Sequence, residues 1–311
     1  MRHPTPLPVE LRADTLTPEL LRSAGLEAGR LYRRDISRVS RGIGLWAPGD
    51  EDLDPRRRAL ALATAIDDAC LSHTSAALVL GIDLPWEVRD DPRVHLTHPA
   101  GTTRRLRRPE VVGHRSRLHQ QEITTIERVR STTPARLWFD LAPPCSVVSL
   151  VMLGDHLVRL PRPTLEARHH PYASREELAA VVARAGRVKG KRKAQQALEL
   201  IRVGSDSFQE TALRLALIGA GLPWPSLQVP ADPGNPWSPC ADLGYPEPRL
   251  AIQYDGATHF TPDQARRDQS RDNAFISADW ALLCFNADDA RDGFRRAAQQ
   301  VRRALYRRIG S

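Results

Sequence analysis

The chain has 311 residues, of which 41% are hydrophobic and 26% charged, with a formal charge of +8. That composition belongs to a globular protein with room for two domains or three small ones. No stretch approaches the ~18 apolar residues that mark a membrane helix, and polar sequence follows Met1-Arg2-His3-Pro4 with no apolar signal core, so a cytoplasmic protein is expected. Cys70, Cys145, Cys240 and Cys284 lie far apart without a CxxC pair. This argues against a cysteine-built zinc site and against a disulfide framework. Lys189, Lys191 and Lys193 are the only lysines, so arginine carries nearly all the positive charge. Arginine grips phosphate with two parallel hydrogen bonds, which points to nucleic acid; codon bias in a GC-rich genome accounts for the same excess equally well.

Residues 1–50 read as short helices at Thr17–Ala24 and Glu27–Leu31, then a basic hairpin ending near Trp46. That order suits a winged-helix-like DNA-binding region, with Arg30, Arg33, Arg34, Arg38 and Arg41 as its candidate phosphate contacts. Residues 55–142 read as an α/β region: helices at Arg56–Asp68 and His73–Leu80, strands at Arg93–Thr97 and Val111–Arg115, and a helix through Asp140. The loop Gly101–Arg108 carries four arginines and reads first as a solvated charge run. His73, His95, His98, His114 and His119 are scattered along this region and read as core or surface residues, not metal ligands. Residues 143–204 read as a helical connector, with helices at Val147–Leu157, Ser174–Ala185 and Ala194–Ile201.

Residues 205–311 hold the chemistry. They read as helix Ser207–Ala220, strand Leu227–Pro230, hairpin strands Cys240–Gly244 and Arg249–Asp255, helix Pro262–Ala278, strand Trp280–Phe285 and helix Ala287–Ile309. Asp242 sits in the first hairpin strand and Gln253 and Asp255 near the end of the second. The tight turn at Pro246-Glu247 brings Asp242 close to Gln253. Acids converging at strand ends suit a hard divalent cation, which lowers the pKa of bound water and stabilises charge on phosphorus.

The run Asp242-Leu243-Gly244-Tyr245-Pro246-Glu247-Pro248 through Gln253-Tyr254-Asp255-Gly256-Ala257-Thr258-His259 resembles the endonuclease-like domain related to the very-short-patch-repair (Vsr) enzymes of the PD-(D/E)xK superfamily. Ser207-Phe208-Gln209-Glu210-Thr211 with Arg214 resembles the helix that opens that domain, and Arg267-Asp268 with Arg271-Asp272 fits the later helix. The segments Ser72–Ala77, Val94–Thr97 and Ser131–Arg136 are more loosely similar to the AbiEi family of antitoxin regulators. The resemblance implies an α+β protein: a winged-helix-like start, a helical connector and a restriction-endonuclease-like end. It implies a Mg²⁺- or Mn²⁺-dependent DNA endonuclease. Asp242 and Asp255 would hold metal, Gln253 would be a weakened third ligand, Glu210 an outer member and His259 a proton carrier. Arg267 and Arg271 read first as salt-bridge partners of Asp272 and Asp268, with DNA contact second.

Gln253 departs from the family's usual Glu, and the superfamily's lysine position is Asp255. The Asp is usual for this subfamily, but the missing Glu favours an alternative reading, a non-catalytic, antitoxin-like DNA-binding regulator. A cognate toxin is then a possible partner, and an adaptor that binds protein alone is a third reading.

Overall fold

The structure is a computed structural model describing residues 6–48, 53–101, 106–162, 166–256 and 262–309. It is a mixed α+β protein. It divides into two units, Met1–Cys145 with Glu177–Lys191, and Ser146–Glu176 with Arg192–Ser311. No helix among the described residues is long and apolar enough to cross a membrane.

The first unit begins with a 3-10 helix at Val9–Ala13, strand β1 (Thr15–Leu16), a helix at Pro18–Ser23, a 3-10 helix at Ala28–Tyr32, and strands β2 (Ile36–Ser40) and β3 (Ile43–Trp46). Thr17 ends the preceding strand geometry and caps the first α-helix by accepting from Leu20 N at 3.2 Å, with Pro18 at the first helical position. The strands form an antiparallel sheet of order β1-β3-β2, closed by Leu16, Leu21, Leu31 and Ile36.

A second sheet follows in the same unit. Its strands are β4 (Cys70–Leu71), β5 (Val94–Pro99), β6 (Val111–Ser116), β7 (Ile123–Ile126) and β8 (Val129–Thr132), in the order β6-β5-β4-β8-β7. Helix Pro55–Ala65 packs Ala59, Leu62 and Ala63 into the core with Leu71, Val94 and Leu96. The β7–β8 hairpin is absent from the sequence reading. Its turn residues, Glu127 (φ 48°) and Arg128 (φ 67°), take the left-handed conformation that such turns usually give to Asn-Gly. Arg136 ties this sheet to helix Pro134–Asp140. Buried, it donates to Glu122 at 2.6 Å, Asp140 at 2.8 Å and Ser116 Oγ at 2.6 Å.

Residues 143–204, read as a helical connector, are shared between the two units. Most of helix Arg175–Arg184 belongs to the first unit, where Arg184 reaches Glu122 at 3.5 Å. Helix Val147–Val158 and nearly all of Lys191–Leu200 belong to the second.

The second unit is built on β9 (Ser226–Pro230), β10 (Cys240–Tyr245), β11 (Leu250–Asp255) and β12 (Ala281–Asn286), ordered β12-β11-β10-β9. The pairs are antiparallel except β11 with β12, which is parallel and joined through helix Pro262–Ser277. Leu213 and Leu217 of helix Phe208–Gly219 and Val301 and Leu305 of helix Arg295–Ile309 pack with Leu243, Leu250 and Ile252. Phe275 and Trp280 pack with Val229, Ala241 and Ala251. Gly244 permits the close hairpin: a Cβ there would lie 2.9 Å from Leu250 O. The single helix expected over Ala287–Ile309 is two, Ala287–Arg291 and Arg295–Ile309. Gly293 and the buried Phe294, both at positive φ, turn the chain between them.

Helix Val147–Val158 is fastened to helix Phe208–Gly219 by a fully buried ion pair. Asp155 Oδ2 accepts from Arg214 at 2.7 Å and from Thr211 Oγ1 at 2.9 Å, while Oδ1 accepts from Arg202 N at 2.8 Å. Removing one partner leaves an uncompensated charge in a dry interior. Arg214→Leu is expected to lower stability by about 3–5 kcal/mol, read as a drop in the urea midpoint. Adding Asp155→Leu to the same chain should recover a large part of the loss; a double variant no better than the single would show that the charge is not the cause.

Candidate functional site

Two helical and strand elements of the second unit bring acids together. Ser207 caps helix Phe208–Gly219 by accepting from Glu210 N at 3.1 Å, and Glu210 Oε2 reaches back to accept from Asp206 N at 2.8 Å. Glu210 is thus buried and oriented in the first helical turn. Asp242, half-buried on β10, accepts from Tyr254 N on β11 through Oδ2 at 2.8 Å.

The β10–β11 ladder pairs Tyr245 with Leu250, Gly244 with Ala251 and Leu243 with Ile252, and then stops. Side chains take over beyond that point. Gln253 Oε1 accepts from Asp242 N at 3.1 Å, and Gln253 Nε2 donates to Cys240 O at 3.2 Å. The neighbouring backbone N–H and C=O fix which way the amide points. Gln253 is 2% exposed and committed on both amide atoms. It ties the two strands together.

Burial raises the carboxyls of both Glu210 and Asp242 above the ordinary carboxylate range, and the charge of Asp242 lifts Glu210 further. The Tyr254 N–H and the Arg271 guanidinium partly offset the rise at Asp242. Asp255, at the exposed end of β11, is also raised by burial, with Arg271 opposing. Arg271 lies between acids: Asp268 at 3.1 Å, Asp272 at 3.2 Å and Asp255 at 3.8 Å. It is an ion-pair hub rather than an open phosphate contact. Arg162, which the sequence reading passed over, is half-exposed, pairs with Asp206 and draws the pKa of Asp242 down. Glu210, Asp242 and Asp255 do not form a group of three with ligand atoms within 4.8 Å among the described residues. His259 lies outside the described residues. Arg267 lies on helix Pro262–Ser277, and its side chain is outside them too.

In the first unit, Arg33, Arg34, Arg38 and Arg41 are exposed around β2 and its turn. Arg30 departs from the expectation. It is 6% exposed and clasps Asp35 with two bonds, of 2.8 and 2.5 Å, which removes it from the surface. Arg108 anchors the β2–β3 turn by donating to Ser40 Oγ at 2.7 Å and Arg41 O at 2.8 Å.

Three of the histidines scattered along the chain come together. His73, His95 and His114, separate along the chain, place one ring nitrogen each within 4.8 Å of the others. They sit after β4, on β5 and on β6, three neighbouring strands, and only the strand order makes them adjacent. Burial pushes all three rings below the ordinary imidazole range, His114 to about 4, so they are neutral near pH 7.

No family model matches the chain. A stretch of 106 residues is 32% identical to a protein of Mycobacterium tuberculosis described as uncharacterized, in strain CDC 1551 / Oshkosh and in strain ATCC 25618 / H37Rv. The matched stretch is 33% of this chain and 38% of the length of those relatives.

Two outcomes follow from this geometry. In Gln253→Glu the introduced carboxylate has no hydrogen for Cys240 O, a mismatch of about 1–3 kcal/mol, which urea unfolding at pH 7 should show and lower pH should relieve. Glu210 binds its proton more tightly folded than unfolded, so its contribution is full below the ordinary carboxylate range and is lost as pH rises through its raised value. The wild type should therefore lose more stability between pH 5 and pH 9 than Glu210→Gln, by paired denaturation curves; equal losses would contradict the raised pKa.

Proposed function

We propose that the second unit is a restriction-endonuclease-like catalytic domain that hydrolyses DNA phosphodiester bonds with Mg²⁺ or Mn²⁺. The observation that carries this reading is that Glu210, fixed at a helix start by Ser207 and the Asp206 N–H, and Asp242, fixed on a strand by Tyr254 N, lie near enough for the charge of Asp242 to raise Glu210, with burial disfavouring both charges. Carboxyls with raised pKa values in such a place mark functional sites. The antiparallel β9-β10-β11 run with a parallel β12 beyond it, and the resemblance of the Asp242–His259 run to Vsr-like domains, support the same reading.

The donor set fits a hard cation: two carboxylates suffice when water and substrate phosphate supply the rest. Glu210 and Asp242 would hold the ion, with Asp255 at the exposed edge of the site. When bound, the ion would supply a more acidic water and charge stabilisation at phosphorus. The chain's own part is orientation. Ser207 and the Asp206 N–H fix Glu210, Tyr254 N fixes Asp242, and Arg162 offers positive charge at the rim.

The N-terminal segment would deliver DNA. Its order of helix, strand, two helical turns and two strands, with sheet order β1-β3-β2, suits a winged helix, and Arg33, Arg34, Arg38 and Arg41 are the arginines available to phosphate.

One observation favours a second reading, a DNA-binding regulator with a silent nuclease-like fold: the neutral Gln253, engaged on both amide atoms, adds no charge to the site. Plasmid, linear, mismatched and single-stranded DNA incubated with Mg²⁺ or Mn²⁺ separates the two. Nicking that falls by at least about 100-fold in Asp242→Ala and in Glu210→Ala is the expected result; each 1.4 kcal/mol is tenfold in rate. Salt-sensitive DNA binding with no cleavage by wild type would establish the regulator instead.

A further inference from the structure

We propose that His73, His95 and His114 form a binding site for a divalent transition-metal ion of the Zn²⁺ class in the first unit. This is independent of the acidic site of the second unit and of the nuclease reading.

The scaffold aims the rings at one another. β5 and β6 run parallel with His95 opposite Val112 and Thr97 opposite His114, so His95 and His114 share a sheet face two positions apart. Ser72 N donates to His95 O at 3.1 Å and brings the end of β4 alongside. His73 follows at φ 51°, a left-handed conformation that a histidine adopts at a cost. That turn lays its ring on His114, with centroids 3.8 Å apart and planes 15° apart.

The nitrogens are sorted by their partners. His95 Nε2 faces Asp91 Oδ2 at 3.2 Å, so its Nδ1 is the inward atom. That Nδ1 lies 3.0 Å from His114 Nε2. His73 Nδ1 bonds Ser72 Oγ at 3.0 Å, which leaves Nε2 as its ligand atom. Four-coordinate zinc with Zn–N bonds of about 2.0–2.1 Å sets its ligand nitrogens ~3.3 Å apart. The His95–His114 edge is near that spacing already, and the third nitrogen is within 4.8 Å. Ring rotation at His73 closes the set.

A brace stands behind the ligands. Asp91 accepts from Arg93 through both the guanidinium, at 3.0 and 2.9 Å, and the backbone N, at 3.0 Å. A carboxylate that fixes the tautomer and direction of a ligating imidazole is a recurring part of zinc centres. Ser72 Oγ is held in turn by Thr97 Oγ1 at 2.8 Å. Three imidazoles are borderline ligands that favour Zn²⁺, Cu²⁺, Ni²⁺ or Fe²⁺ over Mg²⁺. All three histidines are half-buried, and three protein ligands leave a fourth position for water.

The test uses the full chain stripped of metal with a chelator. Co²⁺ is titrated as a coloured stand-in and then displaced with Zn²⁺. The expected result is one Co²⁺ per chain with the visible absorption of a four-coordinate nitrogen-rich site, bleached by Zn²⁺ and distinct from any Co²⁺ that the acidic site takes. The signal should vanish in His95→Ala and in His114→Ala and be unchanged in Asp242→Ala and with excess Mg²⁺. Asp91→Ala, a positioning change, should weaken Zn²⁺ binding about 10–100-fold. Zn K-edge absorption of the loaded wild type needs no variant and should count three imidazoles. No Co²⁺ bound with that absorption, the same absorption surviving in the histidine variants, or one equivalent of zinc bound without imidazoles would each overturn the proposal.

Discussion

The candidate acidic site depends on how the β10–β11 hairpin continues after its ladder stops. Beyond Leu243 and Ile252 the strands are held by side chains rather than by backbone pairing. Gln253 supplies one acceptor and one donor to the opposite strand, and Asp242 spends one oxygen on Tyr254 N. The arrangement satisfies buried backbone groups and aims a carboxylate in the same stroke. The companion constraint is the Asp155–Arg214 pair, which fixes the helix that carries Glu210. Both acids are thus set by polar contacts inside an apolar frame, where each unmade bond is costly.

The two units present different chemistries. Carboxylate oxygens suit small, hard cations. Neutral imidazoles braced by a carboxylate suit softer, four-coordinate metals. Cysteine counting gives no hint of the imidazole cluster, because no cysteine takes part.

Sequence periodicity revealed most of the second unit: the opening helix, the hairpin and the parallel return strand lie close to where their patterns place them. Features that depend on single backbone conformations stayed hidden. Glu127 and Arg128 turn a hairpin without the usual Asn-Gly, and Phe294 turns left-handed beside Gly293 to interrupt a run that reads as one helix. The acids were legible because motif spacing places them. The role of Gln253 was not, since strand register alone decides that its amide meets Asp242 N and Cys240 O. The histidines were hidden for a further reason. Their adjacency comes from the order β6-β5-β4, in which neighbours in space are far apart in the chain. Arg30 reads as surface charge until Asp35, five residues on, turns out to fold back upon it.

Neither unit is a continuous piece of chain, and this gives its synthesis a schedule. Glu122 is buried, and Arg184, 62 residues later, is one of its partners. Helix Val147–Val158 is made long before helix Phe208–Gly219, which packs against it and brings Arg214 to Asp155. At translation rates of ~5–20 residues per second, the apolar helix waits roughly 3–12 s for that cover. During those seconds a strongly hydrophobic segment stands in water with an unpaired acid at its centre, so the ribosome-bound chain offers chaperones a binding stretch that the finished protein conceals.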